Sequence, residues 1–542
     1  MDQSLTILLS QGEQLFNKRS ALMSFWQDVA ENFYPERADF TQSVNWGAGF
    51  EDGLSTSYPS LIRRELGNAF GAMLRPTNKE WFHLRTDNYD HLSGDARQWL
   101  EAAERQQRRL MYTRESAFLR AVKEGDHDYA TFGQCAISTE LNKDATGLLY
   151  RCWPLRDVAW CEGPAGEVDN VYRRWRPAAR ELSRMFPRVA PEVTRLAEKE
   201  PYAEVNVWHC VVPSYAFRED KFKRYPYVSV FVDVDNKFEL EAVGAWQVPY
   251  TIPRWQTLSG SQYAYSPATV VALPDARLLQ SMARVLLDAG EKAVTPPMVA
   301  IKEALRSDVN VYAGGITWAS AEYDERLGEV LRPITQDRSG LPLGLEMQQD
   351  TRSMLSEAFY INKLSLPPPD KDMTAFEVGQ RVQEHIRQIL PVFEPTETEY
   401  NGALCEKTFN VLLRAGAFGS VQNLPKDLRG AAIEFKFVSP LHDALDRQRG
   451  QAFMEARAML LEAAEIDPSV VPVLDAKVAL REALVGIGTP AKWLRSESDV
   501  AQIEAQAVQR QQQQLAIEQA QGVAQAAKTA GEAGRAAAGV PA

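Results

Sequence analysis

Three consecutive prolines, Pro367, Pro368 and Pro369, constrain this chain more than any other feature. Each fixes φ and lacks an amide donor, so they form a stiff break and not the interior of a helix. Asp370, Lys371, Asp372 and Met373 complete a charged loop. Thr374 with Glu377 is a capping box, which predicts a helix start just after it. Val378, Val382, Ile386, Ile389 and Phe393 follow at spacings of four, four, three and four, one apolar helix face. Glu377 and Arg381 lie one turn apart on the polar side. Pro391 kinks or ends this helix, and Thr396 with Glu399 reads as a second capping box that restarts it. Tyr400, Leu404 and Leu412 carry the apolar face to Gly416, the predicted stop.

Helical spacing dominates elsewhere too. Leu15, Leu22, Phe25, Trp26 and Val29 share one face of a helix predicted from residue 1 to about residue 35. Leu61–Leu74 is a second helix, stopped by Arg75-Pro76, and 95–124 a third. The third carries Arg105, Arg108, Arg109, Arg114 and Arg120, but Glu101, Glu104 and Glu115 interleave, which predicts a solvated or intersubunit face. Residues 81–84 are a short strand candidate. From 132 to 255 the period moves to two: Val228, Val230, Val232 and Val234 alternate, Asp235-Asn236 turns, and Phe238–Trp246 returns as a hairpin. Arg173, Arg174, Arg176, Arg180 and Arg184, near a helix opening at Pro177, read as salt-bridge partners. Pro274-Asp275 marks the first turn of a helix running to about Ala293. Residues 298–335 alternate like short strands, a helix spans about 344–363, and a short strand (Ile433–Val438) precedes helices at 441–465 and 470–484. Beyond Val500 the chain is rich in Ala and Gln, which permits either helix or disorder. The fold class is α+β, mainly helical.

At 542 residues and 45% hydrophobic, the chain has enough apolar mass for several domain-sized pieces. A net charge of −12 argues against gripping nucleic acid by overall electrostatics, though not against letting it pass. Five cysteines form no CxxC pair, which fits assembly in a reducing cytoplasm. The N-terminus lacks the basic and apolar regions of a signal peptide, and no apolar run is long enough to predict a membrane span. The phosphate-cradling loop, the dinucleotide fingerprint, the nucleophile elbow and the zinc-protease helix motif are all missing from the sequence. Six histidines are scattered, and the adjacent pair His209-Cys210 lies in a strand where neighbours point to opposite faces. Asp233 and Asp235 read as turn formers. The residues predict no catalytic group, no metal and no cofactor.

Several separated signatures occur in one order. They are Arg19, Trp26, Tyr34-Pro35 and Phe40; then Trp81-Phe82; then Pro249, Arg254-Trp255, Gly260, Tyr265-Ser266-Pro267 and Leu273-Pro274-Asp275. The run 374–416, Ser439-Pro440-Leu441 and 485–500 complete the set. Together they resemble the head-to-tail connecting (portal) proteins of short-tailed, double-stranded DNA bacteriophages, over about residues 10–505. Ala264 stands where that family often has Gly.

That resemblance implies a portal-type subunit in a homo-oligomeric, dodecameric ring at one capsid vertex, with a central channel for packaging and ejecting DNA. Residues 1–270 would be the wing, 271–295 the first stem helix, 296–343 the clip and 344–366 the second stem helix. Residues 367–373 would be a tunnel loop, 374–440 the long kinked wing helix and its strand, 441–500 the crown, and 501–542 a tail. Implied partners are passing double-stranded DNA, the terminase packaging motor, major capsid and scaffolding proteins, and tail adaptor or tail tube proteins. The location implied is the virion. Lys363 and Lys371 would lie nearest the DNA, with Asp370 and Asp372 flanking Lys371. Each neutralised phosphate adds salt-dependent affinity, so an acidic chain suits passage. A non-channel virion scaffold or adaptor, and an enzyme with unrecognised sites, are the competing classes.

Overall fold

The structure is a computed structural model. It describes residues 3–364 apart from 43–52, 78–79, 88, 90–91, 146, 218–219, 302–304, 311–316, 319, 321–328, 330 and 334–339. It also describes 394–438 apart from 420–423, and 453–454, 456–463, 475–486, 500, 503, 505–506, 509–510 and 512–513. The chain divides into two compact units, residues 1–89 with 99–439, and residues 90–98 with 440–542.

The first unit opens with α1 (Gln3–Lys18) and α2 (Ser20–Phe33). The single helix expected there is broken at Arg19. Its buried guanidinium donates to the carbonyls of Leu155 and Val158 at 2.7 and 2.8 Å, and to that of Arg156. Burial lowers the Arg19 pKa to about 10, so it stays charged at neutral pH. Then come α3 (Tyr58–Leu74), the strand β1 (Phe82–Arg85) and α4 (Gly94–Met111), which belongs to this unit from Trp99 onward. The helix expected over 95–124 also breaks, at Ala117 with φ 54°. Ser116 Oγ donates to Met111 and Thr113 and accepts from the Phe118 amide, satisfying both helix ends at the break. α5 (Phe118–Phe132) follows and ends on Gly133, whose φ of 74° is the left-handed cap.

The period-two region folds as two antiparallel sheets. β2 (Ala136–Leu141) and β3 (Leu148–Trp153) pair in one, and β4 (Val158–Glu162) and β5 (Val168–Trp175) begin the other. Two short helices, α6 (Ala179–Met185) and α7 (Pro191–Lys199), precede β6 (Val207–Pro213). After α8 (Ser214–Phe217), β7 (Tyr227–Asp233) and β8 (Phe238–Ala245) form the expected hairpin. Asp233 Oδ1 accepts from the Asn236 amide at its turn. The five strands run β4-β5-β6-β7-β8, and β9 (Tyr250–Thr251) joins β2 and β3. Alternation decides the two faces of β6. Trp208, Cys210 and Val212 pack with Leu5, Leu8 and Phe16 of α1, while Val207 packs with Leu182 and Val193 of α6 and α7.

A two-stranded pair, β10 (Gln256–Thr257) and β11 (Ala264–Tyr265), leads into α9 (Pro267–Val294). This helix starts seven residues before the expected Pro274. Ser266 Oγ accepts from the Thr269 amide, Pro267 occupies the first turn, and Pro274 lies inside the helix. β12 (Met298–Ala300) pairs with β13 (Leu331–Pro333), and α10 (Gly340–Ala358) is followed by α11 (Ile361–Leu364). Tyr360, at φ 59°, turns the chain between these two. Residues 394–414 are helical, ending as α12 (Ala403–Arg414), and Gly416 at φ 74° stops the helix as expected. β14 (Glu434–Phe437) pairs with β1. In the second unit, α13 (Ala476–Gly486) overlaps the helix expected at 470–484 and ends two residues beyond it.

Candidate functional site: a helical hairpin and the mount of the proline loop

α9 and α10 form an antiparallel hairpin. A Cβ at Gly344 would come within 2.9 Å of Leu286 Cδ2, so glycine there permits the close approach of the two helices. At 1.5 Å per residue, the 28 residues of α9 span about 42 Å. The β12–β13 pair follows the C-terminal end of α9. Near the other end the hairpin is bonded to α2 and α3. Gln280 Oε1 accepts from the Ser55 and Thr56 amides at 2.7 and 2.9 Å, and its Nε2 donates to Thr56 O. Tyr58 donates to Arg352 O and shares a hydrogen bond with Ser356 Oγ. Arg277 pairs with Asp28 at 2.9 Å, and the Phe33 and Phe359 rings lie 5.3 Å apart.

One face of α9 is buried through Ala272, Ala276, Leu279 and Ala283. Beside it runs an apolar stripe in water: Val271, Leu278 and Val285, at heptad spacing, are 65, 47 and 65% exposed. Leu343, Met347 and Met354 of α10 are exposed as well. Apolar side chains repeated every seven residues are what a helix offers to another helix, and contiguous exposed ones mark an interaction surface. The hairpin is not basic. α9 carries three acidic and three basic side chains, and α10 has Glu346, Asp350 and Glu357 against Arg352 alone.

The second part of the site is the helix reached after the proline loop. Backbone 396–402 is a π-helical segment running directly into α12, so no restart occurs at Thr396. Thr396 Oγ is held by the Tyr129 hydroxyl instead of capping, and Glu399 accepts from the Arg254 amide at 2.9 Å. Tyr129 in turn stacks on Trp255, centroids 5.3 Å apart and planes within 9°. Arg75 is the centre of the mount. Its buried guanidinium lies 4.7 Å from the Tyr400 ring centroid and donates to Asn401 Oδ1 and to Asp126. Burial alone disfavours the Arg75 charge, but Asp126 and Tyr400 outweigh it and raise its pKa. The Asp126 carboxyl is held above the usual aspartate range, because burial outweighs the pull of Arg75. Further along, Tyr150 bonds Thr408 at 2.7 Å, Gln107 donates to Cys405 O, and Gln247 donates to Lys407 O.

Of the residues picked out by sequence, Lys363 lies in α11, half-buried, with Nζ 5.7 Å from the Tyr360 ring. Pro367, Pro368, Pro369, Asp370, Lys371, Asp372 and Met373, and the helix expected from Thr374 to Phe393, lie outside the described residues. Sequence reasoning missed Arg75, Asp126, Tyr58 and Gln280. Arg75 read only as part of a helix stop, since its partners stand 51 and 326 positions away. Of the arginines expected as salt-bridge partners, Arg180 and Arg184 pair with Glu181 at 3.8 and 3.6 Å, while Arg173 and Arg174 lie on aromatic rings. Arg173 lies over Trp153 at 3.6 Å and donates to Tyr250, and Arg174 lies over Phe16 at 3.8 Å. His209 is buried between Tyr250 and Ser229, flat on Phe231, where burial and Arg173 hold its pKa well below the usual value.

The described residues thus form an α+β body carrying a long helical hairpin with an exposed apolar stripe. The chain belongs to the bacteriophage head to tail connecting protein family, whose model matches residues 6–494. It is similar to the portal protein of Salmonella phage epsilon15, 23% identical over 97% of this chain and 95% of that protein. It is similar also to a probable portal protein of Bordetella phage BPP-1, 24% identical with the same coverage. Among solved structures, a chain of a native gene transfer agent virion matches at TM-score 0.35 and 10% identity, over 77% of this chain and 91% of that one.

Proposed function

We propose that this protein is the portal of its phage: a dodecameric ring at one capsid vertex through which double-stranded DNA is packaged and ejected. The observation that carries this reading is the α9/α10 hairpin. It bears a self-complementary type of apolar stripe, a β-pair follows its first helix, and its second helix leads through Lys363 to the proline loop. In this reading the hairpins line the channel and neighbouring copies cover Val271, Leu278 and Val285. The clip, 296–343, docks the terminase motor and later the tail adaptor, and the outer body meets capsid and scaffolding proteins. The crown is 441–500, and the Ala- and Gln-rich tail follows it.

The proline loop, 367–373, reaches into the channel in this scheme. Its prolines reduce the entropy lost when it is held against DNA. Asp370 and Asp372 offset Lys371, so the loop touches the duplex without retaining it. Electron microscopy of the purified protein down its axis tests the ring. A closed ring with an opening of about 20 Å, the width a duplex needs, is expected. A ring without an opening supports a non-channel adaptor, and a stable monomer even in assembled heads refutes the portal ring. Lys371→Ala, or removal of 367–373, should leave the ring intact and impair packaging or retention of DNA. Full-length DNA packaged and kept at normal yield would refute the loop's role.

A further inference from the structure

Glu80, His83 and Glu104 use none of the surfaces assigned above. Glu80 lies two residues before β1, His83 on β1 and Glu104 on α4, and one ligand atom from each lies within 4.8 Å of the others. His83 Nδ1 is 3.0 Å from Glu104 Oε1. We infer that these three side chains bind one first-row divalent cation of the zinc class, which ties β1 to α4.

The chemistry of the donor set selects the ion. An imidazole with carboxylates suits Zn²⁺, Mn²⁺ or Co²⁺, whereas Mg²⁺ and Ca²⁺ prefer oxygen alone. Bonds of about 2.0–2.2 Å to one ion hold ligand atoms roughly 3.3–4.4 Å apart. His83 Nδ1 and Glu104 Oε1, 3.0 Å apart, part slightly to admit the ion, and Glu80, within 4.8 Å, closes in by a small side-chain movement. Glu104 is the strongest sign of a built site. Its side chain is only 7% exposed, and its carboxylate meets the imidazole and, at 3.4 Å, the Leu84 amide. A buried carboxylate needs a compensating charge, which a cation supplies. Glu80 is half-exposed, which gives an ion entry and leaves room for a water as fourth ligand. Arg108, one turn after Glu104, donates to Glu80 Oε1 and fixes its carboxylate, as outer partners of metal ligands do, leaving Oε2 for the ion.

The ion has a structural task to perform. β1 and β14 form a sheet of two strands only, which is marginal without further support. A cation fixing His83 and Glu80 to α4 holds β1, and through it β14, against that helix.

The test uses the full-length protein, stripped with chelator and titrated with Zn²⁺ and separately with Mg²⁺ by calorimetry. One saturable zinc site per chain at micromolar zinc is expected, with a thermal midpoint that rises on loading. His83→Asn and Glu104→Gln should weaken binding about tenfold or more and abolish that rise. Cys161→Ser, which removes a partly exposed thiol elsewhere, should leave both unchanged. Glu80→Gln changes only a half-exposed side chain and gives the same readout should Glu104→Gln fail to fold. Equal zinc binding by wild type and the ligand variants, no saturable binding, or a preference for Mg²⁺ overturns the inference.

Discussion

Replacing Arg75 by Met tests how the helical segment 394–414 is held in the body. Arg75 and Asp126 are 4% and 2% exposed, so solvent screens little of their interaction. Removing one partner of a buried ion pair costs ~3–5 kcal/mol, because the other charge is left unpaired. Asn401 loses its donor too, but through the same guanidinium, so the losses overlap and do not add. At about 2.1 cal/mol/K of unfolding entropy per residue, a unit of roughly 430 residues shifts by only about 1 °C per kcal/mol, so a fall of about 3–6 °C is expected. The pH dependence supplies a second signature. The Asp126 carboxyl is already raised by burial, with Arg75 opposing. Without Arg75 nothing opposes, and the folded value rises further. A carboxyl with a raised folded pKa keeps its proton where the unfolded chain has lost it. Its contribution to stability therefore falls as pH rises from the unfolded value, about 4, through the folded one. The penalty of Arg75→Met should be smallest in mild acid and grow towards neutrality. Arg75→Met with Asp126→Asn should recover part of the loss and remove its pH dependence. Thermal unfolding followed by near-ultraviolet circular dichroism, at mildly acidic and neutral pH, reads both effects. A penalty below about 1 kcal/mol, or one flat with pH, would refute the reasoning.

Leu278→Asp with Val285→Asp should leave the fold within about 0.5 kcal/mol, since both positions are exposed, yet abolish self-assembly. Native mass measurement checks this, and an unchanged oligomer counts against the stripe as an interface. Gly133→Ala places a Cβ 2.1 Å from the Tyr265 carbonyl carbon at a φ of 74°. Because the obstacle is backbone, at least about 2 kcal/mol should be lost. A midpoint equal to wild type would contradict the packing at the start of α9.

Much of the fold was legible because periodicity reports which side chains face inward. The alternating valines at 228–234 gave the hairpin, and the apolar spacing through Leu404 and Leu412 to Gly416 gave α12 and its stop. Residues 81–84 and 433–438 each read as strands, although nothing local said that they pair. Helix breaks were less legible. Arg19 interrupts an otherwise continuous apolar face because three carbonyls at 155–158 claim its side chain. Pro274 carried a start signal, but Ser266 and Pro267 provide a complete cap seven residues earlier, so the helix begins there.

The sequence by itself therefore determined the class of the longer elements and the family. Both depend on neighbours within a few turns of one another, or on ordered residue types. Only the tertiary structure decided how the segment 394–414 is held and what the hairpin leaves exposed. Arg75 meets Asp126 and Asn401, Gln280 meets Thr56, and Val271, Leu278 and Val285 are left exposed among the described residues. Burial is a property of the packed chain: the spacing of Val271, Leu278 and Val285 marks one helix face, and only packing tells whether that face is filled.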